Sequence, residues 1–352
     1  MKKELLMASA LVSTLGVASV AQAVTATMAG SMKVGVEFES NDSSTTDSNT
    51  VMDQSNFNIS LSETTDGGTT ISTSFEIVDE GTVAADDDNA LKLTFADGTA
   101  LELLNAGNAA GTHAASVPGA GGEQGVGGTS TNNAPGDLDF AAGSTALGLE
   151  LHSAADFLVD GLKMSASYST DNGLAKSAVA RLENSWGIGA TYVTSAGDTT
   201  LTISGGIADG EIATTATQAT SDKGGFNVGV VAVTGDLTIG VGYGDGDTFV
   251  NSTTNGTNQE IDGSVMKAGI SYAASSDLTL ALDVSAGEGK DGAFGTADTT
   301  DDSVDSTSAS ATYTVASGVS AVIGYTTVDA QNEGVATTDD GSSWYIGASM
   351  SF

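Results

Sequence analysis

Residues 342–352 read SSWYIGASMSF. Trp344, Ile346, Ala348, Met350 and Phe352 take every second position, and small or polar residues take most of the rest. Successive side chains of a strand point to opposite sides of the sheet, so this alternation describes a strand with one apolar face. The parity recurs upstream. Met32, Val34, Val36 and Phe38 alternate with Lys33, Gly35, Glu37 and Glu39, and Phe57, Ile59 and Leu61 with Asn58, Ser60 and Ser62. Leu278, Leu280, Leu282 and Val284 repeat it.

Counted along the chain, the pattern predicts sixteen strands. They fall near residues 26–39, 54–63, 69–78, 88–96, 99–105, 145–152, 161–170, 177–194, 199–208, 224–234, 236–244, 264–273, 276–286, 305–315, 318–328 and 342–352. Short connections at 64–68, 97–98, 195–198, 235, 274 and 317 alternate with long ones at 40–53, 79–87, 106–144, 209–223, 245–263, 287–304 and 329–341. An antiparallel meander whose loops are sorted by length onto two ends is the plan of a transmembrane β-barrel, with short periplasmic turns and long external loops. A soluble sandwich has no reason to sort its loops in this way. Tyr168, Tyr192, Tyr243, Tyr272, Tyr313 and Tyr325 share the apolar parity near strand ends, where two interfacial girdles need amphipathic rings.

The chain opens with MKKELLMASALVSTLGVASVAQA. A basic start, an apolar stretch from Leu5 to Val20 and the small-x-small site Ala21-Gln22-Ala23 read as a cleaved signal peptide over residues 1–23. The expected mature unit is one barrel domain, 24–352. No later stretch approaches the ~18 apolar residues of a membrane-spanning helix. The expected location is the outer membrane of a Gram-negative cell.

Of the 352 residues 45 are Asp or Glu and 10 are Lys or Arg, a net charge of −35. Cleavage would remove Lys2, Lys3 and Glu4 and leave −36. So acidic a surface repels phosphate backbones, which argues against nucleic-acid partners. With no Cys there is neither a disulfide framework nor a thiolate site, and two His leave little for imidazole chemistry. No enzymatic activity is expected. A barrel enzyme would need a nucleophile beside a base, and the spacing gives neither His an evident Ser partner. His113 and His152 lie too far apart in sequence to imply a metal pair, and both read as exposed loop or lumen residues. A secreted or surface β-rich adhesin or structural protein is the alternative from another class, but an adhesin has no use for an outward apolar strand ending in Phe.

The opening MKKELLMASALVSTLGVASVAQAVTATMAGSMKVGVEF and the ending SSWYIGASMSF resemble the general diffusion porins of Gram-negative bacteria, most closely the alphaproteobacterial, Rhodobacter-like type. The resemblance implies a homotrimer of sixteen-stranded barrels, each a water-filled channel for passive diffusion narrowed by an infolded third external loop. It implies further that Trp344, Ile346, Ala348, Met350 and Phe352 form a signal read by the outer-membrane assembly machinery, and that lipid and lipopolysaccharide surround the barrel.

On that plan residues 106–144 are the constriction loop, with Glu123, Asp137 and Asp139 as its acids. A connection this long in a compact protein usually has a function. Inward parity gives a pore wall of Lys33, Glu37, Lys92, Glu102, Glu150, Arg181 and Lys267. Lys33 and Lys92 are expected at mid-strand, Arg181 and Lys267 nearer the outer mouth. The family's dense arginine cluster is absent, since Arg181 is the only Arg in the chain. Carboxylates outnumber ammonium groups, so cation preference is expected. No cofactor is required. Asp86, Asp87, Asp88, Asp301 and Asp302 are the candidate Ca²⁺ ligands, although no segment has EF-hand spacing: counting from Asp245, the twelfth position is Gly256.

Overall fold

Two five-residue turns are built to the same plan. In 65–69 and 95–99 the first N–H donates to the fifth carbonyl at 2.8 Å, and Gly68 and Gly98 sit at φ of +82° and +88°, where a side chain would be strained. Tight closures of this kind join neighbouring strands at one end of the molecule. The computed structural model describes residues 24–41, 48–79, 91–104, 107–122, 148–169, 181–213, 220–250, 259–293, 300–332, 337–338 and 340–352.

The strands are β1 Thr25–Asn41, β2 Ser48–Thr64, β3 Thr70–Asp79, β4 Leu91–Thr94, β5 Ala100–Leu103, β6 Gly148–His152, β7 Leu162–Ser169 and β8 Arg181–Ala196. They continue as β9 Thr199–Ala213, β10 Thr220–Thr234, β11 Leu237–Val250, β12 Gln259–Ala273, β13 Leu278–Ala293, β14 Thr300–Ala316 and β15 Val319–Asn332, then a closing strand Gly341–Ser351. Each pairs antiparallel with its neighbours, and β1 pairs with both β2 and the closing strand. The sheet is therefore a closed sixteen-stranded barrel with no free edge. A two-residue ladder, Thr337–Thr338 on Gln331–Asn332, lies in the loop before the closing strand and is not counted.

The alternation places the faces as expected. In the closing strand Trp344 and Ile346 are 51% and 55% exposed while Tyr345 between them is 2% exposed. Apolar side chains turn outward, where a bilayer solvates them, and the backbone is satisfied strand to strand. All six tyrosines of the proposed girdles hold outward positions. The seventh, Tyr345, faces inward, and its ring lies against Gly35 and Gly347, where any Cβ would collide with it.

Several strands run past their expected ends. β2 begins at Ser48 and β12 at Gln259, with Asp262 opposite Lys290 and Glu39 opposite Ser48 in register. A backbone ladder continues without apolar side chains once it clears the lipid. β4 and β5 are shorter than expected, four residues each.

Inside the barrel the buried apolar residues are few and small. Ala110, Ala115, Ala208 and Val265 form one cluster, with Ala114 and Val117 packed against it. Two of these belong to the wall and the others to a single segment that crosses the interior.

Candidate functional site: the lumen and its inner loop

That segment is residues 107–122, GNAAGTHAASVPGAGG. Its side chains are mostly hydrogen atoms and methyl groups, so its backbone can lie flat against a wall. Asn108 starts a single helical turn, Ala109–Thr112, its side chain accepting from Gly111 N at 2.9 Å. The segment begins over β7 and ends over β14.

Three groups of contacts hold it. At the near end Ala109 N donates to Ser167 Oγ at 3.0 Å, and Asn227 Nδ2 of β10 donates to Ala110 O at 2.9 Å. In the middle the wall itself is recessed. A Cβ at Gly189, Gly206, Gly229, Gly240 or Gly269 would collide with Ala109, Ala110, Ala115, Pro118 and Pro118 respectively. Gly189 faces Gly206 across β8–β9, and Gly240 faces Gly269 across β11–β12, so the missing side chains line up as a track beneath the loop. At the far end Ala120 N donates to Asp283 Oδ1 at 2.5 Å and Gly121 N to Ser310 Oγ at 2.7 Å.

His113 is the segment's one ionisable side chain. It is buried, 6% exposed, rather than open to the lumen as expected from sequence. Its Nδ1 lies 2.7 Å from Thr191 Oγ1 and its Nε2 3.0 Å from Ser165 Oγ. The same Ser165 Oγ lies 2.9 Å from His152 Nδ1. Both histidines of the chain thus share one serine, against the expectation that neither had a Ser partner. The fold brings together positions 52 and 13 residues apart. Ser165 is 4% exposed and its hydroxyl lies between two imidazoles, so it offers no open approach to a substrate. Burial above all, then the charge of His152 where that ring is protonated and the charge of Lys163, holds the His113 imidazole below its ordinary range.

Lys33 lies at the middle of β1 with its side chain on the lumen face, and Glu37 shares that face half-buried. Lys92 and Glu102 are both half-buried and form an ion pair at 2.5 Å across β4 and β5, so Lys92 is a neutralised member of the wall. His152 Nε2 lies 3.4 Å from the same Glu102 oxygen. Glu150 is 3% exposed and therefore does not line the passage. Lys267 faces inward opposite Gly242 and Ser285, at mid-strand rather than at the mouth. Arg181 opens β8 at the long-loop end. The side chains of Arg181, Asp301 and Asp302 lie outside the described residues, as do Glu123, Asp137, Asp139, Asp86, Asp87 and Asp88 in full. Trp344, Ile346, Met350 and Phe352 face outward and exposed, and Ala348 half-buried.

A family model described as Gram-negative porin matches residues 8–333. Among solved structures, in-vitro folded OmpT of Vibrio cholerae, in its trimer form, matches with a TM-score of 0.61 at 15% identity, over 94% of this chain and 99% of that one. A further porin matches at 0.63 and 18% identity, over 93% and 100%. The anion-selective porin of Comamonas acidovorans matches at 0.64 and 12%, over 94% and 100%. At these identities the likeness concerns the fold alone. No individual curated protein matches the chain.

Proposed function

The chain belongs to the Gram-negative porin family and is an outer-membrane β-barrel channel protein; from that premise we propose that it passes ions and small hydrophilic solutes passively, prefers cations, and works as a homotrimer of the alphaproteobacterial type. The observation that carries the reading is the content of the barrel. Its buried apolar cluster is formed by residues 107–122 and the strip of wall beneath them, and elsewhere the inward positions of β1, β2, β4 and β5 include Lys33, Glu37, Asn58, Ser60, Lys92 and Glu102, side chains that water solvates.

Cation preference follows from the balance of charge. One expected lumen cation, Lys92, is cancelled by Glu102, and the chain carries a net −35. Charges lining a narrow bore act on a passing ion within a screening length of ~8 Å at ~0.15 M salt. The trimer form of the Vibrio cholerae relative supports the assembly state. Outward Trp344, Ile346, Ala348, Met350 and Phe352 would meet lipid and lipopolysaccharide and serve the assembly machinery.

The test is reconstitution into planar bilayers under a salt gradient. Discrete conductance steps with a reversal potential of cationic sign are expected. Steps with an anionic sign would overturn the preference, and a pure, folded protein that never conducts would overturn the channel.

A further inference from the structure

We propose that His113, Ser165, His152 and Thr191 form a proton-sensitive latch that docks residues 107–122 against the barrel wall when His113 is neutral and releases its near end when His113 is protonated. The inference rests on the channel reading only for its effect on conductance; the latch itself is a property of the fold.

The geometry sets the protonation pattern. A neutral imidazole has one donor and one acceptor nitrogen. His113 meets one hydroxyl with each, Thr191 at 2.7 Å and Ser165 at 3.0 Å. Ser165 has a single proton to donate between two rings, so one imidazole gives to it and the other receives. Adding a proton to His113 places a cation in a site that is 6% exposed. It also turns an acceptor nitrogen into a second donor.

Among the described residues no carboxylate forms an ion pair with His113. From β6 the facing groups are His152 and Glu150, from β7 Lys163, from β5 Glu102 and from β4 Lys92. The segment's contacts on β8, β9 and β10 are the uncharged Thr191, Gly206 and Asn227. Glu102 sits on Lys92 and on His152, and Glu150 Oε1 is buried without a hydrogen-bond partner, 3.7 Å from His152 Nδ1. Burial above all, then the charge of His152 once that ring is protonated and the charge of Lys163, lowers the proton affinity of His113. The segment itself brings no acid.

The sign follows by linkage. The docked state binds the His113 proton more weakly than the undocked state, whose affinity is the ordinary one near pH ~6.5. Docking is therefore fully present above that value and weakens as pH falls through it towards the docked value. Between the two, the undocking equilibrium rises about tenfold per pH unit. Only the near end carries a histidine, while at the far end Ala120 and Gly121 stay tied to the Asp283 carboxylate of β13 and the Ser310 hydroxyl of β14. Release then swings the segment off β7–β9 into the lumen, and conductance falls.

The chain has no cysteine, so a single reporter can be placed. Ser167→Cys puts a thiol under the segment at a position 6% exposed, and Thr112→Cys puts one on its open side. The ratio of their labelling rates with a water-soluble methanethiosulfonate cancels the reagent's own pH dependence. Between about pH 7.5 and 5 the Ser167→Cys rate relative to the control should rise as pH falls below the ordinary histidine value, by at most about tenfold per unit. Adding His113→Gln should make the ratio flat. If that variant fails to fold, Lys163→Gln serves, since removing this positive neighbour should shrink the total rise. A flat ratio in the reporter chain, or an unchanged rise in either variant, overturns the latch. Single-channel conductance should fall over the same interval in the native chain. Absence of conductance at every pH would instead strike the channel reading, with the labelling result still deciding the latch.

Discussion

Phe352 exchanges two backbone hydrogen bonds with Gly30, each 3.0 Å long, and lays its ring across the bare Cα of that glycine. The closing strand and β1 are thus clasped from outside at Phe352, and from inside by Tyr345, whose hydroxyl donates to Val34 O at 3.3 Å.

The outer clasp is soft. The Phe352 ring is 61% exposed and can turn away, so Gly30→Ala should lower heat resistance only slightly, and Gly30→Val by no more than ~1–3 kcal/mol. The temperature at which the folded band converts to the unfolded band on a gel measures this. Phe352→Ala should slow assembly in cells more than it lowers that temperature, and the reverse order would count against an assembly role.

The glycine track is hard. A Cβ on Gly269 would collide with the Pro118 carbonyl, which is backbone and cannot rotate aside. Gly269→Ala should therefore lift the segment, costing more than the same change at Gly30, about 1–3 kcal/mol, and altering single-channel conductance. Equal conductance with equal stability would mean that the loop does not rest there.

The Lys92–Glu102 pair makes an asymmetric prediction. Both side chains are partly solvated, so the pair contributes ~0–1 kcal/mol and neither Lys92→Gln nor Glu102→Gln should unfold the barrel. Glu102→Gln leaves the Lys92 charge uncancelled and should move the reversal potential towards anions, while Lys92→Gln moves it towards cations. Shifts of the same sign would exclude the pair as a tuning element.

Selectivity that comes from fixed charge must fade as salt screens it. Raising the mean salt concentration from ~0.1 to ~1 M shortens the screening length from about 10 to 3 Å, and the permeability ratio should approach that of free solution. A ratio independent of salt would point to size exclusion.

At the turn end Asp97 accepts from Thr99 Oγ1 at 2.7 Å and from Thr99 N at 3.0 Å, and these bonds hold its carboxyl below the usual range. A depressed carboxylate contributes stability above its unfolded value near pH ~3.9, and that contribution is lost as pH falls through the folded value. Thr99→Val removes the larger cause. Its melting temperature should drop less than that of the native chain between about pH 6 and 3, and equal drops would refute the assignment.

The barrel was legible because its solvent is lipid. Period two appears wherever one face must be apolar, as at Trp344, Ile346 and Met350, and loop length reports which side of the membrane a connection faces. What the alternation could not show is which inward residues see water. Glu150 and Lys33 have the same parity, yet Glu150 is 3% exposed and Lys33 is exposed, because parity gives the side of the sheet and not what packs against it. The histidines failed for the same reason: Ser165 is an unremarkable member of β7 until β6 and the loop bring two imidazoles to it. One signal went unused. The inward glycines of β8 to β12 are too regular for a face that merely meets water, and a face without side chains is made for close approach of another backbone.

That recess separates what a solute touches from what controls its passage. The glycines of the track are covered, so no permeant reaches them, yet each added methyl there would push the lining inward by its own thickness. The bore can be recalibrated from behind the lining, with its contact chemistry untouched.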